Sequence, residues 1–581
     1  MKISIVNFIK KSPAVSLGWH ARLSLPVMLA CILVQGASWA QTQPSAGSLQ
    51  QQIERDQQNS ANQRLQVKPG VSTATAAPLV GQTVVVTAFK FKGNTLLGDE
   101  ELKGALAPLL GRPLDFARLQ SSAVLVANLY RDKGWVVQTF LPEQDITQGE
   151  VTISITEAVF GKTVIAGAPG TRVPPQDVLA IFARQQQAGK LLSSHAIERA
   201  VLLADDLPGV VVTGALGQGA QAGQTDMVLQ LADEPWFGAS VTADNTGSVS
   251  TGTQRVLAAL SMNSPTRRGD ALSLSAMSTE GSLYARAAYT LPLGSDGWRL
   301  GVNASRLDYE LTSASYKSLN ASGNSSTVGV ELSYPMLRSR SANLTASLSA
   351  DQKKYFNVSG GATTSAYRNV PVSLALSGNT LDALGGGGAN TYSWVMTGGE
   401  LNLDGSPTQG GDASTTRTAG SFKKVRYALS RQQQLNSSVS LFSSFSGQWA
   451  NKNLDSSEKF FLGGSGGVRA YPGGEGGGTL GQMLNVELRW QMAGGWNMAG
   501  FYDHGRITVN KLNDFTGATA LNAYALKGAG VALSWRNKTG LSVQASFARR
   551  LGDNPNPTTT GADQDGTLHL NRYWLTASLA F

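Results

Sequence analysis

Residues 460–478, FFLGGSGGVRAYPGGEGGG, gather the residue types in this chain that could do chemistry. Gly463-Gly464-Ser465-Gly466-Gly467 fits Gly-x-Ser-x-Gly, the strained turn that presents a nucleophilic serine. Gly476, Gly478 and Gly481 fit Gly-x-Gly-x-x-Gly, a turn that brings backbone N–H groups onto a phosphate. One cation, Arg469, and one phenol, Tyr471, stand between the two patterns. Both glycine patterns need a helix on their C-terminal side. Gly466, Gly467, Pro472 and the glycines up to Gly478 cannot propagate one, and residues 484–492 alternate as a strand. A serine hydrolase using Ser465, with His504 as the nearest base in sequence, is therefore the weaker alternative. With 65 glycines in 581 residues, such patterns arise by chance. No Gly-x-x-x-x-Gly-Lys-Ser/Thr sequence occurs, so no nucleotide or other cofactor is expected.

The chemistry left to Arg469 is pairing, since a guanidinium can hold a carboxylate bidentately. A partner must come from an element that aims an acid at the loop. Composition narrows what that element can be. Lys2, Lys10, Lys11 and Arg22 precede an apolar run near Leu25–Val34 and the small residues Ser38 and Ala40, so residues 1–40 read as an export signal cleaved after Ala40. Those four cations belong to the formal net charge of +9, which leaves +5 without them. The basic balance is weak support for nucleic acid, and none is expected as a partner. Beyond Cys31 there is no cysteine, and His195, His504 and His569 have no ligand-like spacing, so no metal or thiol site is expected.

Residues 48–66 are polar helix formers that must dock into something hydrophilic or fray, and 67–82 have linker composition. Two units of similar order follow. In the first, 84–95 reads as a strand, 99–110 and 115–134 as helices capped by Asp99 and Asp115, and 135–146 and 149–158 as strands. In the second, strand 161–167, helices near 175–185 and 194–206, and strands 210–216 and 225–233 repeat that order. Domains are thus expected over 83–159 and 160–234.

From Pro235 helix signals vanish and strict alternation takes over. Leu484, Val486, Leu488 and Trp490 alternate with Asn485, Glu487, Arg489 and Gln491. The chain stops on YWLTASLAF, with Tyr573, Leu575, Ala577, Leu579 and Phe581 on one face. Charged and hydroxyl faces opposite apolar faces ending in aromatics suit a wet lumen and a lipid-facing wall. No apolar run after the leader is long enough for a membrane helix. A mainly β fold is expected: a transmembrane antiparallel barrel of about 16 strands over 235–581. In GWNMAGFYDHG, Trp496, Met498, Gly500 and Tyr502 share one face, and Asn497, Ala499, Phe501 and Asp503 the other. Asp503 thus points into the lumen, where a confined carboxylate needs a partner. Arg469 is expected to pair Asp503, a latch for the loop, about 460–482, should that loop fold back into the barrel.

Val468-Arg469-Ala470-Tyr471 resembles the Val-Arg-Gly-Tyr loop motif of two-partner secretion transporters of the TpsB type, the haemolysin secretion/activation family of the POTRA-barrel superfamily. Phe501-Tyr502-Asp503 is similar to that family's Phe-x-Asp, and Asp206-Leu207-Pro208-Gly209 to a feature of its second POTRA domain. Ala470 departs from the motif's glycine; a positive φ there would cost alanine about 1 kcal/mol. The resemblance implies two periplasmic POTRA domains, a lumen plug at 48–66, and a C-terminal strand carrying Tyr573, Leu579 and Phe581 as a terminal signal for the barrel assembly machinery. It further implies an outer-membrane protein, in contact with its lipids, that has porin activity and secretes a large, unfolded, β-rich partner without enzymatic activity. A POTRA-barrel insertase for outer-membrane proteins is the alternative within the superfamily.

Overall fold

The computed structural model describes residues 44–64 and 83–581. The expected leader and the linker over 67–82 lie outside these residues.

Each small domain is one three-stranded sheet backed by two helices. In the first, Ala88–Lys92 pairs parallel with the central strand Glu150–Glu157, which pairs antiparallel with Val137–Phe140. Val151, Ile153 and Ile155 alternate into a core with Leu102, Leu106, Val126 and Tyr130 from the helices Asp99–Leu106 and Phe116–Asp132. Asp115 caps the second helix by accepting from the Arg118 N–H at 2.8 Å. Asp99 does not cap the first: Gly98 holds the N-cap position, and Asp99 is the first helical residue, where its charge suits the helix dipole. The strand expected over 135–146 shortens to Val137–Phe140, because Gln144 takes over the central strand's edge, donating to the Thr152 carbonyl and accepting from its N–H. The strand expected over 84–95 breaks into Val84–Val85 and Ala88–Lys92.

The second domain repeats the topology: Val159–Ile165 parallel to Gln224–Asp233, which is antiparallel to Val210–Gln218, under helices Pro175–Gln185 and Ser194–Asp205. Its Asp206–Gly209 turn meets the near end of the next region. Asp206 grips Arg338 through two bonds of 2.7 Å, and its carbonyl accepts from Arg299. Gly209 has φ +98, and a Cβ there would lie 2.7 Å from the Ser264 Cβ, so turn geometry and close approach both exclude a side chain.

From Phe237–Asp244 to Asn571–Ala580, sixteen strands pair antiparallel in chain order and close into a barrel. That closure fits the strand number expected from the alternating sequence. Connections on the side of the small domains are short turns, such as 339–341, and the long loops, 403–419, 451–479 and 551–570 among them, lie on the far side. One far-side loop carries a six-residue helix, Gln409–Ser414, an exception to the all-strand expectation. The helix Ala46–Arg64 lies against lumen-facing side chains of the wall.

Candidate functional site in the barrel lumen

Strand alternation decides which residues the lumen receives. Along Trp496–Thr508, Phe501, Asp503 and Ile507 are buried, while Trp496, Met498 and Tyr502 are exposed on the outer wall. On the neighbouring strand Leu480–Gln491, Asn485 stands directly opposite Asp503, and Glu487 opposite Phe501. One patch of wall therefore offers the lumen two carboxylates, an amide and an aromatic ring.

The segment 451–479, between Val439–Ala450 and Leu480–Gln491, returns to that patch. Phe460–Phe461 pairs antiparallel with Gly477–Gly478, which closes the segment into a hairpin. The tip packs Leu462, Val468, Ala470 and Tyr471 against Phe501, Ile507, Leu526 and Ala548. Its glycines serve this compaction: a Cβ on Gly467 would sit 2.0 Å from the Leu462 carbonyl oxygen. Both enzyme-like patterns dissolve into this hairpin. Turns rather than a helix follow Ser465, and Gly478 is a hairpin residue.

Arg469 sits at the tip. Its Nε and backbone N–H donate to Asp503 Oδ2 at 2.9 and 3.0 Å, and Nη2 donates to Oδ1 at 2.7 Å. Nη1 donates to Glu487 Oε1 at 2.7 Å, and the guanidinium carbon lies 3.4 Å from the Phe501 ring centroid. Asn485 donates to Asp503 Oδ1 at 2.8 Å and to the Gly467 carbonyl at 3.1 Å, so it clamps wall and loop together. The Arg469 carbonyl accepts from Trp574 Nε1 at 2.8 Å. Asp503 is 0% exposed, so its charge is held entirely by these donors.

Tyr471 is buried, and its ring lies 4.6 Å from the Arg550 guanidinium carbon. Arg550 in turn pairs with Asp563 of the following far-side loop, as does Arg572 at 3.0 Å. Ala470 lies outside the positive-φ region. A Cβ added to Gly528 on the wall would meet the Ala470 methyl at 2.7 Å, so what the position demands is smallness. The structure thus brings Val468, Arg469, Ala470, Tyr471, Phe501 and Asp503 into one cluster. It places Asp206–Gly209 apart, at the domain–barrel contact. Tyr573, Leu579 and Phe581 are exposed on the outer face of the closing strand region. Sequence reasoning missed the roles of Glu487, Asn485, Trp574 and Arg550. Alternation signals that Asn485 and Glu487 face inward, but only strand register sets them beside Asp503.

The helix Ala46–Arg64 completes the site. Ala46, Leu49 and Ile53 form an apolar stripe that packs on Tyr284, Tyr309, Tyr355 and Tyr367 of the wall. The dock is therefore not purely hydrophilic. Around the stripe, Gln50 donates to Thr327 at 2.7 Å, Glu54 meets Lys353 at 3.3 Å and Asp56 meets Arg255 at 2.9 Å. Arg55 donates to the Phe461 and Gly463 carbonyls at 2.9 and 3.0 Å, joining helix to hairpin.

Residues 223–535 match the family described as haemolysin secretion/activation protein ShlB/FhaC/HecB, and residues 84–158 match the ShlB-type POTRA domain. The heme/hemopexin transporter protein HuxB of Haemophilus influenzae is 25% identical over 527 residues, covering 88% of this chain and 92% of that protein. The outer membrane transporter CdiB of Dickeya dadantii (strain 3937) is 25% identical over 461 residues, covering 76% of this chain and 79% of that protein. Among solved structures, CdiB from Escherichia coli has the same fold, with a TM-score of 0.66 at 21% identity, covering 93% of this chain and 100% of that chain. BamA from Haemophilus ducreyi lacking POTRA domains 1-3 shares the fold at a TM-score of 0.52 and 16% identity, covering 86% of this chain and 100% of that one. With the family matched across more than half its length, this chain belongs to the haemolysin secretion/activation proteins, as an outer-membrane β-barrel whose small domains face the periplasm.

Proposed function

We propose that this protein recognises a large, unfolded, β-rich partner protein in the periplasm and passes it through the barrel to the cell surface, with no nucleotide and no catalytic serine. The observation that carries this reading is the lumen itself. One hairpin is pinned to the wall by Arg469 and Asp503, and one helix is seated by contacts spread over several strands and on the hairpin. The helix is the removable part. Its ion pairs and hydrogen bonds are ones that water can replace, and its apolar stripe is short. The hairpin is the fixed part. Family membership and the transporter names of the relatives support the same reading over the insertase alternative.

Capture would use strand addition: Val137–Phe140 and Val210–Gln218 are sheet-edge strands whose backbone can pair with many sequences. Helix displacement would then open the pore, and folding of the partner outside would draw the chain forward. The barrel assembly machinery would read the terminal strand bearing Tyr573, Leu579 and Phe581 when this protein is itself inserted.

Secretion of the exported partner in cells carrying Arg469→Ala, Asp503→Ala and the charge swap tests the latch. Loss in both single variants with the barrel inserted is expected, whereas normal secretion by both removes the latch from the mechanism. Deleting 46–64 and recording planar-bilayer conductance tests the plug, with a larger open pore expected. A Ser465→Ala variant is expected to secrete normally.

A further inference from the structure

The outer wall carries a cationic patch with no part in the lumen site. Because Asp503, Leu526 and Arg550 face inward, alternation turns His504, Arg506, Lys527 and Arg549 outward on three consecutive strands. His504 is directly opposite Lys527. Arg549 is opposite Ala529, one outward position from Lys527. Arg506, Lys527 and Arg549 are exposed, and none forms an ion pair or side-chain hydrogen bond among the described residues. The inward carboxylates of these strands and their loop are spent on the lumen side, Asp503 and Glu487 on Arg469 and Asp563 on Arg550 and Arg572, and the exposed Asp553 of the loop beyond Arg549 forms no ion pair with the patch.

Like charges set beside one another on a sheet face repel and weaken it. A cluster of cations without counter-charge on a membrane-facing wall therefore points to an anion supplied from outside the protein. Its height on the wall identifies that anion. The three strands reach the patch near their far-side ends, opposite the turns that meet the small domains. The small domains are periplasmic, so the patch lies at the outer leaflet. Directly below it the same face turns aromatic and aliphatic: Tyr502, Val531, and Phe547 with its ring 5.1 Å from that of Tyr573. Such an aromatic row marks the boundary between acyl chains and headgroups, and long cationic side chains just above it reach headgroup level.

We propose that His504, Arg506, Lys527 and Arg549 form a binding site for a phosphorylated lipid headgroup of the outer leaflet. Two guanidinium forks supply bidentate phosphate recognition, and Lys527 supplies a point charge between them. The acyl chains lie along the Tyr502–Val531–Phe547–Tyr573 face. The site is separate from the secretion path and borders the strand that closes the barrel.

The test uses the full-length protein extracted from outer membranes in mild detergent, with bound phosphorylated lipid measured by native mass spectrometry and phosphorus analysis. The triple variant Arg506→Gln, Lys527→Gln, Arg549→Gln removes charge from exposed positions. Lys538→Gln, in the exposed turn at the opposite end of the hairpin that carries Lys527 and Arg549, serves as the control. The wild type and the control are expected to retain phosphorylated lipid, while the triple variant binds it about a hundredfold more weakly, given the attraction each cation gains at a charged membrane surface. Heat-modifiable migration on gels checks that the triple variant is a folded barrel. If it is not, the single variants Arg506→Gln and Arg549→Gln are read in its place, each with about fivefold weaker binding. Equal lipid retention by the folded variants and the wild type overturns the site. Equal occupancy by inorganic phosphate alone, displacing lipid at similar concentration, overturns the lipid assignment.

Discussion

Asp503 accepts from three donors of Arg469 and one of Asn485, and it has no access to water. A pair this buried gains little over an apolar substitute, yet losing one partner strands a charge at about 3–5 kcal/mol. Arg469→Ala is therefore expected to lower the thermal midpoint of the purified barrel more than the double variant Arg469→Ala, Asp503→Ala. The reverse order would mean that water reaches Asp503. Ala470 makes a second test. Its methyl fills the space over Gly528, so Gly528→Ala is expected to destabilise the seated hairpin by about 1–3 kcal/mol through overpacking. Adding Ala470→Gly should restore most of that loss, measured by protease protection of 460–478. At this scale the sequence was legible where period-2 alternation speaks. It aims Asp503 inward from its own strand alone. It could not reveal Glu487 or Trp574 as partners of Arg469, because those depend on register and on where a hairpin far along the chain comes to rest.

Elements were legible by their boundaries where glycine or a true cap marks them, and less so where a side chain replaces backbone. Gly111 and Gly134 end helical segments with φ of +71 and +88. Gln144, by contrast, ends a strand by mimicking one, which no local pattern announces. Glu157 shows how such side chains hold the first domain together. It accepts from the Thr95 and Leu96 N–H groups at 2.7 and 2.8 Å and from Tyr130 Oη at 3.2 Å. Burial works to raise its pKa, but these bonds outweigh it and hold the carboxyl below its ordinary value. A carboxylate depressed in the fold stabilises it above the unfolded pKa, and that contribution fades as pH falls through the folded one. Amide exchange at Leu96 and Thr95, corrected for intrinsic rate, is thus expected to lose protection as pH drops through the acidic range. Glu157→Gln should have lost most of that protection already at neutral pH, by about 1–2 kcal/mol, and should show a flatter profile.

In a barrel within lipid every backbone group needs a partner, so the weakest seam governs the whole. Here that seam joins the last strand to the first. Ladder pairing runs only from Thr576 opposite Asp244 to Ala580 opposite Ser240, whereas the hairpin of Ala342–Ser359 and Ala362–Asp382 pairs along nearly its full length. Two devices reinforce the short seam. At one end Phe581 and Ala239 exchange backbone bonds of 2.9 and 3.0 Å. At the other the Asn245 side chain continues the ladder, donating to the Tyr573 carbonyl at 3.0 Å and accepting from the Leu575 N–H at 2.8 Å. The same strand is tied inward by Trp574, whose indole N–H reaches the Arg469 carbonyl at 2.8 Å. This bond joins the pinned hairpin to the seam, so Trp574→Phe, which leaves Arg469 and Asp503 in place, is expected to speed amide exchange along 571–577. Asn245→Ala should do the same at Leu575 while leaving protease protection of the hairpin unchanged. If Trp574→Phe changes neither exchange on the closing strand nor hairpin protection, the hairpin and the barrel seam are mechanically independent, and the indole bond has no part in holding the seam closed.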